Sequence, residues 1–240
     1  MSSELYDLFW CNSTLSRATI AAFGAGIEDY AGSADGRPPG LQYAAADMPL
    51  HRPSDRQFKQ MTSRRSERRF SDRPLSARQL GAVLAAFAST AEGGRRVHGS
   101  AGGTYPLEIF CLLNNCEGPA AGRVAYYNAD NHSLAAVGEL PAWASYADAV
   151  NLDTGETVPQ LVVVFVVMAD RVTGKYGERG GRFALIEVGQ ALQSLALRLV
   201  QEDLAGCALG GLLDDEIKRL LGLDGTGAQI ALGYACGIAP

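Results

Sequence analysis

The sequence predicts an α+β fold, and three observations carry that prediction. Segments of strand composition lie between segments of helical period. The continuous run Leu161-Val162-Val163-Val164-Phe165-Val166-Val167 reads as a central strand covered on both faces. Apolar residues at 185, 188, 192, 195, 196 and 199 mark one long core helix from Arg182 to about Asp203, roughly six turns with a wide buried stripe.

The remaining elements follow in chain order. Ser13 to Phe23 reads as a short helix, and Ala31 to Gly40 as loop by its glycine, proline and serine content. Ser54 to Met61 reads as a helix with Ser54 as its N-cap. Ser76-Ala77-Arg78-Gln79 is a capping-box pattern opening a helix from Ser76 to Ser89. A glycine-rich loop from Glu92 to Thr104 leads to a strand over Leu107–Leu113, and Val124–Asn128 with Ser133–Val137 forms a hairpin. Pro141 to Ala147 is a short helix, and Gly155 to Pro159 a loop. The stretch Lys175 to Phe183 reads as a charged, glycine-rich loop running into the long helix. Gly206 to Gly211 is a short strand, Asp214 caps a helix to Leu221, and Gln229 to Cys236 is the last strand. Residues 1–50 are taken as an N-terminal extension and 51–240 as the folded domain.

At 240 residues the chain has room for one substantial core. Apolar residues make up 47% and charged residues 20%, with mean hydropathy near zero, the composition of an ordinary globular domain. The longest apolar run, Leu161 to Ala169, is nine residues, against about 20 for a bilayer. Met1-Ser2-Ser3-Glu4 lacks the basic and apolar regions of a signal peptide. These features predict a cytoplasmic protein with no membrane partner. A net charge of −5 and a pI near 5.3 argue against a nucleic-acid partner. Cys11, Cys111, Cys116, Cys207 and Cys236 are scattered and read as buried thiols; His51, His98 and His132 show no ligand spacing, so no metal site is expected. Gly24 and Gly26 lack the preceding strand and third glycine of a dinucleotide fingerprint.

Three constellations carry chemistry. Arg64, Arg65, Arg68, Arg69 and Arg73 put five guanidinium groups within ten residues, with Ser66 among them; such a cluster takes either solvent or an anion such as a single phosphate. Ser100-Ala101-Gly102-Gly103-Thr104-Tyr105-Pro106 sets two glycines before a strand, and Gly210-Gly211 sets two after another. Each pair is either a turn or a place where bare backbone approaches a flat ring. Lys175 and Tyr176 stand side by side. An ammonium beside a phenol equips a site for proton transfer, and a solvated turn is the alternative reading. Trp143 and Tyr146 either cover a ligand or pack in the core.

The order Arg-Arg-Ser-x-Arg-x-Phe, Ser-Ala-Gly-Gly-x-Tyr-Pro-Leu-Glu, Lys-Tyr-Gly-Glu-Arg-Gly-x-Arg-x-Ala-Leu-x-Glu-x-Gly-x-x-x-Gln and a final Leu-Gly-Leu-Asp resembles the FMN-dependent nitroreductase superfamily over roughly residues 60 to 236. More narrowly it is similar to the SagB/McbC-like azoline dehydrogenases, the Lys175-Tyr176 block being the branch-specific part. The resemblance implies a nitroreductase-like fold, with a central, mainly antiparallel sheet flanked by helices. It also implies a homodimer with FMN at the subunit interface, and an enzyme that aromatises thiazoline or oxazoline rings in a modified peptide, its flavin reoxidised by dioxygen. A separate cyclodehydratase would make the rings. Under the same resemblance Arg64, Ser66 and Arg68 hold the FMN phosphate and ribityl chain, while Ser100, Ala101 and Gly102 lie along the isoalloxazine. Gly210 and Gly211 offer backbone contacts near its reactive edge, and Lys175 and Tyr176 are the catalytic pair. Glu178 and Arg179 are orienting residues, and Glu187 is either a structural hydrogen bond or a catalytic group. Two departures stand out: no basic residue follows Arg219, and residues 1–50 match no family pattern. The competing readings are an NAD(P)H-dependent nitro or quinone reductase, a thiazoline oxidase of a nonribosomal assembly line, and a non-catalytic flavin-binding scaffold.

Overall fold

In the computed structural model, which describes residues 4–33, 50–90, 94–152 and 157–240, two N-terminal helices, α1 (Glu4–Ser13) and α2 (Ile20–Ser33), replace the single helix expected over 13–23. The hydroxyls of Ser13 and Thr14 both donate back to the Trp10 carbonyl at 3.1 and 3.0 Å. Such side-chain bonds compete with the helical ladder and mark the end of α1. Helix α3 (Arg56–Ser63) is capped by Asp55, one residue after the expected Ser54, its carboxyl accepting the Phe58 N–H at 3.0 Å. Helix α4 (Ala77–Leu84) opens on the expected capping box, with Ser76 and Gln79 bonding reciprocally at 3.1 and 3.2 Å. It tightens into a 3-10 turn over Ala85–Phe87 before residue 89 is reached. The loops expected over 31–40, 92–104 and 155–159 lie partly outside the described residues.

Then follow β1 (Leu107–Leu113), β2 (Arg123–Asn128), β3 (Ser133–Glu139), α5 (Ala147–Val150), β4 (Leu161–Met168), α6 (Asp170–Tyr176), α7 (Arg179–Gln201), β5 (Ala205–Leu209), α8 (Asp214–Leu220) and β6 (Ala228–Gly237). Asp214 is the first residue of α8 and not its cap, which is Leu213. The six strands form one sheet in the order β3-β2-β1-β4-β6-β5, every adjacent pair antiparallel. Strand β4 is inside it, and its unbroken apolar run is explained by its two faces. Leu161, Val163, Phe165 and Val167 meet the core under α4 and α7, and Val162, Val164 and Val166 meet a second core under α5 and α8. Tyr146 belongs to that second core and donates its hydroxyl to Asn114, while Trp143 meets its ring edge to face at 5.1 Å, so both residues pack.

Helix α7 is long and apolar enough, by length and composition, to cross a membrane. Here it lies on the sheet, with Ala184, Val188, Ala191, Leu195 and Leu199 buried. It starts at Arg179, so Gly180 and Gly181 are helical and are not loop glycines. A Cβ at Gly180 would come within 2.7 Å of the Val172 carbonyl, and one at Gly181 would collide with the Tyr6 ring. The two glycines therefore let α6 and α1 press against α7. Tyr6 and Trp10 of α1 are buried in the main core, the Leu5 and Tyr6 N–H groups donate to Glu178 at 3.3 and 2.8 Å, and Tyr6 Oη donates to Gln229 at 2.8 Å. Four cysteines are buried as expected, but Cys11 is exposed, because it faces away from the buried Tyr6 and Trp10 side of a helix packed on one face only.

Candidate active site

Lys175 and Tyr176 occupy the last turn of α6, a short helix where the sequence suggested loop. Gly177, at φ 56°, ends that helix in a backbone conformation open to glycine, and α7 begins two residues on. Helix α6 is fastened to the segment before β1 at two points four residues apart, which fall on one face. Arg171 Nη1 donates to the Tyr105 carbonyl at 3.0 Å and pairs with Glu108, and Lys175 Nζ donates to the Gly102 carbonyl at 3.0 Å. Glu108 also accepts the Tyr126 hydroxyl at 2.8 Å; burial, then that bond, push the Tyr126 phenol up to about 12.

The segment so held is itself braced. Tyr105 sits at φ 42°, its N–H donating to Ser100 Oγ at 2.8 Å and its hydroxyl accepting the Arg96 N–H at 3.2 Å, with the Arg96 guanidinium 5.0 Å over its ring. Gly102 is at φ 58°, and a Cβ there would collide with Tyr176 Oη and Lys175 Nζ. The two reactive groups therefore converge on one spot above bare backbone, with Ser100 and Ala101 on the same turn. Tyr176 meets Phe183 of α7 edge to face at 5.1 Å, which fixes the plane of its ring.

On its other side the segment rests on α7. The Gly99 N–H donates to Gln190 Oε1 at 3.1 Å, and His98 Nε2 stands 3.4 Å from Glu187 Oε1. Both side chains are almost fully buried, and neither His98 ring nitrogen nor Glu187 Oε1 has a hydrogen-bond partner among the described residues. A cleft of about 300 Å³ between α7 and Gly99–Ala101 is lined by Glu187.

The arginine segment lies elsewhere, along the outer edge of β5. The Glu67 N–H donates to the Gly206 carbonyl at 3.0 Å. The Glu67 carboxyl accepts the Arg69 and Arg68 N–H groups, which hold it below the usual carboxylate range. Arg64, Ser66 and Arg68 are exposed, and among the described residues Arg64 and Arg68 form no ion pair. Arg64 is near enough to Tyr234 to oppose, in part, the rise that burial imposes on that phenol. Gly210 and Gly211 follow the far end of β5, four residues beyond Gly206, about 13 Å at strand rise. Gly211 faces Asn151, leaving a Cβ only 2.5 Å from its amide, and Gly210 opens into a cleft beside Phe9 and Trp10 of α1 and Leu185 of α7.

The sequence-predicted site residues thus fall in three places. Ser100, Ala101, Gly102, Lys175 and Tyr176 meet at the start of α7; Arg64, Ser66 and Arg68 stand by its end, where Arg65 shares a cleft with Val200 and Asp203; Gly210 and Gly211 lie apart from both, Gly210 beside Leu185 and Gly211 against Asn151. From Phe183 to Val200 is about 25 Å along the helix. Residues missed from the sequence include Arg171, Glu108, His98 and Gln190. Arg171, four residues before Lys175, carried a legible signal once the segment is recognised as helical; His98 and Gln190 carried none.

An antiparallel sheet carrying one long core helix, with a lysine–tyrosine corner on bare glycine and an exposed arginine edge, defines an oxidoreductase of the nitroreductase fold, a class whose members generally bind flavin. The chain belongs to the nitroreductase family, whose model matches residues 61–238. It is 31% identical over 162 residues to the Methanocaldococcus jannaschii protein MJ1384, assigned by name to the nitroreductases, covering 67% of this chain and 81% of that one. It is 30% identical over 156 residues to the microcin B17-processing protein McbC of Escherichia coli, covering 62% of this chain and 57% of McbC. Among solved structures it matches a chain of the E. coli microcin synthetase McbBCD complex with truncated pro-MccB17 bound, at TM-score 0.68 and 21% identity over 94% of this chain and 95% of that one. It matches the NADPH:FMN oxidoreductase of Vibrio harveyi at TM-score 0.52 and 16% identity, over 77% and 69%. These structural likenesses bear on the fold.

Proposed function

We propose that this oxidoreductase is an FMN-dependent dehydrogenase that converts thiazoline or oxazoline rings of a modified peptide to thiazoles or oxazoles, with dioxygen as the final electron acceptor. The observation that carries the reading is the convergence of Tyr176 Oη and Lys175 Nζ over Gly102. Aromatising an azoline removes a proton from one ring carbon and a hydride from its neighbour, and this corner sets two proton-accepting side chains at one point. FMN, when bound, supplies the hydride acceptor.

The residues fit such a cofactor. Arg64 and Arg68, without carboxylate partners among the described residues, have the charge to hold a phosphate, with Ser66 between them. Gly210 opens into a cleft at the other end of β5, where bare backbone leaves room for a ring edge, with Gly211 next to it against Asn151. Within one chain the arginines stand the length of α7 from the Lys175 corner, so we read the working unit as a homodimer in which the corner comes from the second copy. The exposed stripe Leu185, Ile186, Gly189 and Gln193 along α7 fits that contact: it is apolar at its start, and nothing lies within 4 Å of a Cβ placed on Gly189. The similarity to McbC, found in a synthetase complex with a peptide, supports a cyclodehydratase as the enzyme upstream.

Anaerobic mixing of the FMN-loaded protein with a thiazoline-containing peptide tests the reading. Bleaching of the flavin absorption band is expected, together with loss of two hydrogens from the peptide by mass spectrometry. Strong bleaching by NADPH with none by any azoline peptide would instead make the protein a nitro or quinone reductase.

A further inference from the structure

Burying a polar group without a hydrogen bond costs free energy, so an orphaned group kept in a folded protein calls for a cause. Glu187 is 2% exposed and His98 3%. Among the described residues the carboxyl atom Oε1 and both imidazole nitrogens lack hydrogen bonds, although Oε1 and Nε2 are 3.4 Å apart. Glu187 also lines the cleft beneath Gly99–Ala101, the turn that leads into Gly102 and the Lys175–Tyr176 corner.

The polar groups lining that cleft divide into one acceptor and two donors. Glu187 offers an acceptor. Gln190 has committed its carbonyl oxygen to the Gly99 N–H, which leaves its NH2 to donate, and Ser100 Oγ has accepted the Tyr105 N–H, which leaves its hydroxyl hydrogen to donate. One acceptor with two donors matches a group in which an N–H stands beside carbonyl oxygens. Phe183 and Ile186 supply the apolar wall that a flat group of that kind needs.

Resting on the flavin-dehydrogenase reading, we propose that Glu187 is a ligand-binding residue whose carboxylate accepts the N–H of an amide or imide group seated between α7 and Gly99–Ala101, with His98 fixing the carboxyl from behind through Oε1. Two ligands carry that chemistry, the imide edge of the flavin and a backbone amide of the peptide substrate. A residue kept unpartnered for a ligand weakens the empty protein, and this sets its signature apart from that of a strut.

The test compares wild type with Glu187→Met, which keeps the side-chain length and removes the acceptor. It reads the melting temperature of the apoprotein, FMN affinity by fluorescence quenching, and affinity of the FMN-loaded protein for a thiazoline peptide by calorimetry. The expected result is an unchanged or raised melting temperature with a roughly tenfold or greater loss of one affinity. Loss of FMN affinity makes the flavin imide the ligand, and loss of peptide affinity alone makes it the peptide amide. If Glu187→Met melts early, His98→Leu/Glu187→Met removes both polar partners and is read in the same way. Early melting of both variants, or stable variants with both affinities intact, overturns the proposal. Wild-type protein that binds FMN but is not bleached by azoline peptides removes the dehydrogenase reading and leaves the flavin arm to decide Glu187. Wild-type protein that binds no FMN removes both.

Discussion

The two ends of α7 carry two kinds of site. At its start, Lys175 and Tyr176 are positioned by neutral and charged hydrogen bonds, a braced turn with Tyr105 in the left-handed region, and a glycine whose missing side chain leaves room for both reactive groups. At its end, Arg64, Ser66 and Arg68 stand exposed along an edge strand, fastened through backbone bonds at Glu67 and Gly206 but with guanidinium groups left to solvent. The difference teaches how geometry and charge are divided. Proton transfer needs atoms placed to within fractions of an ångström, whereas an anion is held by charge that tolerates some movement.

The corner is therefore the region most sensitive to small changes. Gly102→Ala forces a methyl group into Tyr176 and Lys175, and Tyr176→Phe with Lys175→Ala removes the proton acceptors. Both are expected to lower single-turnover azoline oxidation by about 100-fold or more while FMN stays bound. Rates within a few-fold of wild type would show that the convergence is incidental. The arginine edge should respond differently: Arg64→Ala/Arg68→Ala is expected to weaken FMN binding by about 10- to 100-fold, and by less at high salt, with bound FMN still reduced at the normal rate. Flavin titration at two ionic strengths checks this.

Whether the two regions serve one site is tested by co-expressing Lys175→Ala chains with Arg64→Ala/Arg68→Ala chains. If one site draws on both copies, each mixed dimer contains one intact site, and roughly a quarter of all sites recover activity. No recovery in a mixed dimer would mean that the regions work within one chain or not together. The smallest effect concerns Asp214, which accepts the Leu15 N–H at 2.9 Å and ties α8 to the N-terminal helices beside the Gly210 cleft. Burial raises its carboxyl above the ordinary aspartate value, the Leu15 bond offsetting only part. The native state then binds a proton more readily than the unfolded chain, so stability present below the ordinary value is lost as pH rises through the raised one. Asp214→Asn should melt slightly higher than wild type at neutral pH, and the gap should close on acidification. A gap that widens in acid would contradict the assignment.

Much of the framework was legible in local pattern. The capping box at Ser76, the strand Leu107–Leu113 and the apolar run of β4 announced themselves because each depends on neighbours in sequence, through a 3.6- or 2-residue period or a side chain reaching three residues on. Helix α6 did not. It is seven residues long with Gly174 inside it, and it is held by bonds from Arg171 and Lys175 to a segment some seventy residues earlier. Its glycine-rich continuation resembled a loop for the same reason: Gly180 and Gly181 serve close packing, which no local rule distinguishes from a turn.

By itself the sequence determined the fold class, the place of the six strands and the long core helix in the chain, and which residue types were equipped for phosphate binding and proton transfer, because these follow from local periodicity and side-chain chemistry. The tertiary structure alone decided that Gly102 meets Lys175 and Tyr176, that α1 docks on Gly181 and Glu178, that Glu187 is buried beside His98, and that the arginines stand a helix length from the corner. Those relations join residues far apart in the chain. They are fixed by how the faces of the sheet and α7 pack, which no short window of sequence contains.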